Sequence, residues 1–235
     1  MDRAEQLRER LSDPRGRRVV FLSHCLLNQN VRYLGGAGRP GGVTEIVDGY
    51  LGRGIGICQL PCPEQRAWGG VLKRRMLVAY GSAGTLRAPV VRLLLRPFTW
   101  YTRRAYARLA RAVTRDILDY HRCGVEVTGL VGIGGSPSCG VATTLDLHAA
   151  VNALTRCPAA RLDRRILNED IIAPNVHPGE GLFIHALRQQ LARAGAHVPM
   201  DEHELLAELG SRPSTQRDLA HPAKSSRRIH GDPHR

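Results

Sequence analysis

Three short apolar runs, rich in β-branched residues, punctuate the first half of the chain. They lie at residues 19–22, 55–57 and 125–133, and glycine flanks the second and third of them. Runs of this length and composition predict buried strands of a parallel sheet. Helical patterns separate them, so the sequence predicts an α/β fold, a three-layer sandwich with a mainly parallel sheet and a basic helical insert.

The spacing of the other apolar positions predicts helices between and after these strands. We expect a helix over residues 45–51 capped by Thr44, and a helix over residues 182–193 that glycine ends. A last short strand is expected at residues 196–198. A final turn or two of helix is expected at residues 203–209.

These elements form one domain with extensions. We assign residues 1–16 to a solvated helix and residues 17–210 to a single α/β domain, within which residues 71–122 are the basic insert. Residues 211–235 are polar and basic without periodicity, which predicts a disordered tail. A chain of 235 residues is long enough for such a domain to bury a substantial core.

The net charge of +13 is concentrated in the insert, where 12 Lys/Arg face only 2 Asp/Glu. A helical wheel over residues 104–122 places Tyr106, Val113 and Ile117 on one face. The opposite face carries Arg104, Arg108, Arg111, Arg115 and Arg122. This face is either simply solvated or a phosphate-binding surface for RNA or anionic lipid.

Residues 86–100 mix arginine with large apolar side chains. This composition is typical of a segment at a membrane interface, and equally of a packed segment whose arginines reach outward. No apolar run attains the roughly 18 to 20 residues of a membrane span. The N-terminus has no secretory h-region, so we expect a cytoplasmic protein with reduced thiols.

Three of the six cysteines share one context. Cys25, Cys62 and Cys139 each follow a predicted strand, and Cys62 and Cys139 also stand beside proline or glycine. Ligands of open α/β sheets bind beyond the carboxyl ends of the strands, so three thiols are expected to meet there. Soft thiolates favour an iron–sulfur cluster, zinc or Cu(I), and three protein ligands leave a metal position open for substrate. Alternatively, the cysteines are small buried hydrophobes.

Cys58, Cys123 and Cys157 lack this context and are predicted to be structural. A local metal clip formed by Cys58 and Cys62 is the alternative for that pair.

The segments around the three cysteines resemble a known family. They read Ser23-His24-Cys25-Leu26-Leu27 with Arg32-Tyr33, Leu60-Pro61-Cys62-Pro63-Glu64, and Ser-Pro-Ser-Cys-Gly at 136–140. In combination they are similar to the thiouracil desulfurase family and its related desulfidases. The late segment from Gly179 through Gly195 to Glu202 resembles the same family.

The resemblance implies a [4Fe-4S] cluster bound by Cys25, Cys62 and Cys139, with its fourth iron free for sulfur. It implies an enzyme that removes sulfur from a small thiocarbonyl compound similar to a thiolated pyrimidine. The C=S group becomes C=O without net oxidation or reduction, and sulfide leaves.

Proton transfer in this reaction calls for a carboxylate beside the cysteines, and Glu64 is the candidate. Ser136 is a second candidate catalytic residue, and Ser138 and Asn28 are candidates for binding substrate. Alternatively, Glu64 is a carboxylate favoured by a helix N-terminus, and the serines only bond their loop. The rival function is a non-catalytic RNA- or anion-binding protein whose cysteines are structural or bind zinc.

Overall fold

The computed structural model describes residues 3–204 of the chain. Its strands are β1 (Arg18–Leu22), β2 (Gly56–Gln59), β3 (Glu126–Ile133), β4 (Thr143–Leu145), β5 (Val176–Pro178) and β6 (Met200–His203). Its α-helices are α1 (Arg3–Arg10), α2 (His24–Leu27), α3 (Thr44–Leu51), α4 (Pro63–Ala67), α5 (Arg74–Gly81), α6 (Ala88–Arg122), α7 (Leu147–Arg156) and α8 (Leu182–Arg193). Shorter helical turns span Gln29–Val31, Ala159–Arg161, Ile166–Ile172 and Ala173–Asn175.

Four strands form one parallel sheet in the order β2-β1-β3-β6, and β4 pairs with β5 in a separate antiparallel ribbon. The inner strands β1 and β3 are buried along most of their length, which explains their continuous apolar runs. The predicted class is therefore confirmed: the chain is α/β, with a mainly parallel sheet compatible with a three-layer sandwich.

Helix α6, 35 residues long, packs against α8 and β3. Tyr106, Val113 and Ile117 on its inner face are buried in the main core. The predicted outer arginines are exposed, so the two faces expected from the helical wheel are confirmed. Residues 104–122 are consequently an integral wall of the domain as well as a basic surface.

Three local predictions were wrong in detail. Thr44 is the first residue of α3 and does not cap it, since residue 43 is the N-cap and makes no side-chain capping bond. Residues 196–198 form no strand, because the chain pairs with β3 only from Met200 to His203. His203 ends β6 and does not begin a helix; the rest of that predicted helix and the predicted tail at 211–235 lie outside the described residues.

Within residues 3–204, no helix combines the length and the apolar character required to cross a bilayer.

Candidate active site

The three cysteines follow three neighbouring strands. Cys25 comes three residues after β1, Cys62 three residues after β2 and Cys139 six residues after β3. Because these strands are adjacent and parallel, their carboxyl ends deliver all three side chains to the same edge of the sheet. There the cysteines line one cavity of about 110 Å³, and each is a free thiol.

The Cys25 segment is fixed by backbone contacts and by a buried glutamine. The Ser23 N–H donates to the carbonyl of Val131 at 3.0 Å, which ties the segment to β3. The Gln29 side chain is buried and donates to the Cys25 carbonyl at 3.3 Å. Its amide oxygen accepts from the Gly38 N–H at 3.0 Å, so the glycine-rich loop at 35–42 is held against the cysteine turn.

Cys62 is the N-cap residue of α4, and its sulfur accepts from the Gln65 N–H at 3.4 Å. Pro63 occupies the first helical position, where a missing N–H costs nothing. The short helix therefore begins at the cysteine and places Glu64 in its first turn.

The Cys139 loop is held through its backbone. The Ile133 N–H donates to the Cys139 carbonyl at 2.9 Å. In the first turn of α8, the Leu182 N–H donates to the Pro137 carbonyl at 2.9 Å, and those of Phe183 and Ile184 donate to the Ser138 carbonyl at 3.1 and 3.2 Å. A Cβ on Gly181 would lie 2.5 Å from that same carbonyl, so only glycine allows α8 to approach this closely.

Glu202 on β6 anchors the chain just after Cys139. One carboxylate oxygen accepts from the N–H groups of Val141, Ala142 and Thr143 at 2.7, 2.9 and 3.2 Å. Partial burial raises the pKa of this carboxyl, but the hydrogen bonds outweigh it and hold the pKa below its usual value. Glu202, which belongs to the late segment that resembles the desulfurase family, is thus a fixed anion that shapes the loop.

Glu64 is buried at the wall of the cavity and has two side-chain partners. The hydroxyl of Ser138 donates to Oε1 at 3.0 Å, and Lys73 Nζ lies 2.7 Å from Oε2. Lys73 is itself buried and donates to the Val31 carbonyl at 2.7 Å. Lys73 was not among the site residues predicted from the sequence, although it is one of only two lysines in an arginine-rich chain.

Ser136 and Ser138 form a directed chain of hydrogen bonds toward this carboxylate. Ser136 Oγ accepts from the N–H groups of Ser138 and Cys139 at 3.3 and 3.0 Å. Its own proton is therefore free to go to Ser138 Oγ, 3.1 Å away, while Ser138 donates to Glu64. Ser136 thus bonds its own loop and also lines the cavity, and Ser138 reaches the candidate acid/base.

Asn28 does not reach the cavity. Its side chain accepts from the N–H of Asn30 at 3.0 Å and caps the following turn, so its position gives no support to a role in substrate binding. His24 and Arg32 of the same segment do line the cavity. Burial, and secondarily the charge of Arg66, lowers the pKa of His24.

The remaining cysteines lie outside the cavity lining. Cys58 donates to the Tyr120 hydroxyl at 3.2 Å from within β2, and Cys157 lies at the end of α7. Cys123, at the end of α6, is exposed rather than packed.

Burial is the main influence on the thiols at the cavity. It raises the pKa of Cys62 to about 12 and those of Cys25 and Cys139 above the ordinary thiol value. Arg32 acts in the opposite direction on Cys25 by favouring its thiolate. Thiol ligands must lose their protons to bind metal, so metal binding at this site would release protons.

The three thiols on the cavity wall are soft ligands of the kind that iron–sulfur clusters and zinc take. Within residues 3–204, no group of three His, Cys, Asp or Glu side chains is arranged to hold a single metal ion.

The cavity wall away from the cysteines is aliphatic. It is formed mainly by α7 and the turn at Ile166–Ile172. The side chains are Leu145, Val151, Leu154, Leu167, Ile171 and Ile172. The cavity therefore has a polar end that carries the thiols and Glu64, and an apolar remainder.

Comparison with known proteins adds little to this picture. No protein-family model and no solved structure matches the chain. An uncharacterised protein of Methanocaldococcus jannaschii, MJ0003, is 42% identical over 50 residues. That stretch covers 21% of this chain and 32% of the relative, so the chain spans about a third of the length of the protein it matches.

Proposed function

We propose that the chain is an iron–sulfur-dependent desulfidase that converts the C=S group of a small thiocarbonyl compound, similar to a thiolated pyrimidine, to C=O. The observation that carries the proposal is the convergence of Cys25, Cys62 and Cys139 on one cavity that also holds the buried Glu64. The resemblance of the three cysteine segments to thiouracil desulfurases supports the same activity.

Cys25, Cys62 and Cys139 are the residues that would hold a [4Fe-4S] cluster. When bound, the cluster supplies an iron without a protein ligand, a Lewis acid suited to the sulfur of the substrate. The aliphatic wall excludes bulk water and accommodates the uncharged body of the substrate.

The reaction balances as a hydrolysis. The oxygen of a water molecule bonds to the thiocarbonyl carbon, the C–S bond breaks, and sulfur leaves as hydrogen sulfide with both protons of that water. Glu64 is positioned to take the proton from the attacking water and return it to the departing sulfur. Ser138 orients the Glu64 carboxylate through Oε1, and Lys73 balances its charge through Oε2.

The first test is the content of iron and acid-labile sulfide after anaerobic reconstitution. We expect about four irons and four sulfides per chain, lost in Cys25→Ser, Cys62→Ser and Cys139→Ser. Cys123→Ser is the matched control, because this cysteine is exposed at the far end of α6 and should leave both contents unchanged. Wild-type protein without iron would overturn the proposal.

The second test separates the proton carrier from the ligands. Glu64→Gln keeps the shape of the side chain, so it should retain iron while sulfide release from thiolated pyrimidines falls by about 100-fold or more. Full activity in this variant would remove Glu64 from the mechanism.

A second candidate is a non-catalytic RNA- or anion-binding protein. The observation in its favour is a groove between α6 and α8 lined by Arg108, Arg111, Arg115 and Arg193. A colourless protein with stoichiometric zinc and no iron after anaerobic purification would favour this candidate, whereas a brown protein with broad visible absorption favours the desulfidase.

A further inference from the structure

One continuous stretch of the chain carries no acidic residue. Between Glu64 and Asp116 there are 12 Lys/Arg and no Asp or Glu. The stretch contains α5 and most of α6, and the outer side of α6 faces solvent along its whole length. A surface this cationic attracts anions at long range and has no internal charge to neutralise it.

The outer side of α6 changes character along its axis. Its first four turns expose large apolar side chains: Val90 is 57% exposed, Leu93 76% and Leu94 56%, and Leu86 just before the helix is 97% exposed. At 100° per residue, Val90, Leu93 and Leu94 lie within one face of the helix, together with the exposed Trp100. We call these four side chains and Leu86 the apolar stripe.

Beyond the apolar stripe, arginine side chains occupy the same face of α6. Arg104, Arg108, Arg111 and Arg115 occupy the next turns at the same angular positions and are exposed. Arg104 stacks on the Trp100 ring, 4.4 Å from its centroid, at the end of the apolar stripe. Beyond it, Arg193 of α8 joins the arginines in their groove.

We propose that this face of α6, residues 86–115, docks on the surface of an anionic lipid bilayer. The apolar stripe enters the boundary between headgroups and acyl chains, and the arginines bind headgroup phosphates alongside it. Trp100 lies where the two halves meet, and tryptophan is a side chain that membrane interfaces favour. The helix lies along the surface and does not cross it.

Charge and shape favour lipid over the other occupants. A second copy of this chain would bring an equally cationic face, so the two would repel. RNA would satisfy the arginines, but single-stranded RNA stacks on aromatic side chains and would leave Leu86, Leu93 and Leu94 exposed. An anionic bilayer complements both halves.

The test uses the full chain and two kinds of vesicle, phosphatidylcholine alone and phosphatidylcholine with phosphatidylglycerol. Binding is followed by co-sedimentation and by tryptophan emission. Trp68 is buried, so a blue shift on binding reports Trp100. We expect the wild type to bind the anionic vesicles, to bind less as salt rises, and to show the blue shift.

Two variants separate the halves of the surface. Leu93→Ser combined with Leu94→Ser should weaken vesicle binding about tenfold, because the buried apolar area is lost. Arg108→Gln, Arg111→Gln and Arg115→Gln together should weaken it further and remove the salt dependence. Leu51→Ser, at an equally exposed leucine of α3, is the matched control and should bind like the wild type.

Three results would overturn the proposal. One is wild-type protein that does not bind anionic vesicles. Another is a protein that binds polyuridylic acid, a single-stranded RNA, but does not bind vesicles, and whose RNA binding is unchanged by the two leucine substitutions. The third is a dimer in solution that the leucine changes dissociate without any vesicle binding. Each variant is first checked for an unchanged unfolding midpoint.

Discussion

The carboxyl edge of the main sheet and the outer face of α6 are built in opposite ways. At the edge, three segments far apart in sequence are brought together. Backbone hydrogen bonds join Ser23 to Val131, Leu60 to Leu22, and the Cys139 loop to the N-terminus of α8, and the Glu202 carboxylate holds the chain after Cys139. On α6 a single helix supplies every residue, and the arginines of its outer face project into solvent.

This difference has an energetic consequence. A buried, interlocked site loses stability when one side chain or one glycine is changed, because neighbouring groups cannot relax or find water. A solvated helical face can change its chemistry freely, because each side chain already has water as a partner. The two regions should therefore respond very differently to substitution.

Lys73→Met is expected to lower the free energy of unfolding more than any of the other changes. The change leaves the buried Glu64 carboxylate without its ion-pair partner, and removal of one member of a buried pair costs about 3–5 kcal/mol. Urea unfolding measures it. Adding Glu64→Gln should recover part of the loss, since no buried charge then remains.

Arg165→Met is the control for Lys73. Arg165 pairs with Glu169 at 3.4 Å on the surface, where such a pair contributes about 0.5 kcal/mol or less. If Lys73→Met and Arg165→Met lowered the free energy of unfolding equally, burial would not distinguish the edge of the sheet from the surface.

Gly181→Ala should produce the next largest loss, about 2–3 kcal/mol, because the new methyl group would overlap the Ser138 carbonyl and push α8 away from the Cys139 loop. In α3, a Cβ on Gly49 meets nothing within 4 Å. Gly49→Ala should therefore raise the free energy of unfolding by up to about 1 kcal/mol. Thermal unfolding measures both variants. Unfolding midpoints that shifted in the same direction in Gly181→Ala and Gly49→Ala would contradict this interpretation.

The sequence predicted the elements that depend on local pattern. The buried strands, the α8 helix with its terminal glycine, and the two faces of residues 104–122 all follow from periodicity and breakers. The position of the cysteines at one edge follows from strand order, which a parallel α/β fold largely dictates.

What the sequence did not reveal depends on contacts between distant segments. Lys73 meets Glu64 and Val31 only after α4 and α5 have folded back, and no local pattern marks that meeting. Strand β6 reads Met-Asp-Glu-His, without an apolar run, because it lies at the edge of the sheet and its pairing with β3 uses the backbone. The pattern favoured residues 196–198 instead, since Val198 is buried just before the strand begins.

Glu202→Gln tests a smaller contribution at the same edge. The amide oxygen can take the place of Oε2 and keep the bonds from the backbone N–H groups, so the variant mainly loses the negative charge that strengthens them. A decrease of about 1 kcal/mol in the free energy of unfolding is expected near neutral pH. The folded-state pKa of Glu202 is lowered, so its contribution is present above the ordinary pKa of 4.5 and is lost as pH falls through the lower folded value.

Unfolding of wild type and the Glu202 variant across this pH range measures the difference. The gap should close in acid. A gap that stayed constant at every pH would mean that the shape of the side chain, and not its charge, holds the loop.

The smallest effect is expected on α6. Replacing Arg108, Arg111 and Arg115 together with glutamine should change the free energy of unfolding by less than about 1 kcal/mol, because all three are exposed and their mutual repulsion disappears with them. Urea unfolding at low and high salt checks this, and the salt dependence of stability should shrink in the variant. A large loss of stability would show that these arginines hold α8 in place across their shared groove, and the outer face of α6 would then be part of the packed structure just as the cysteine edge is.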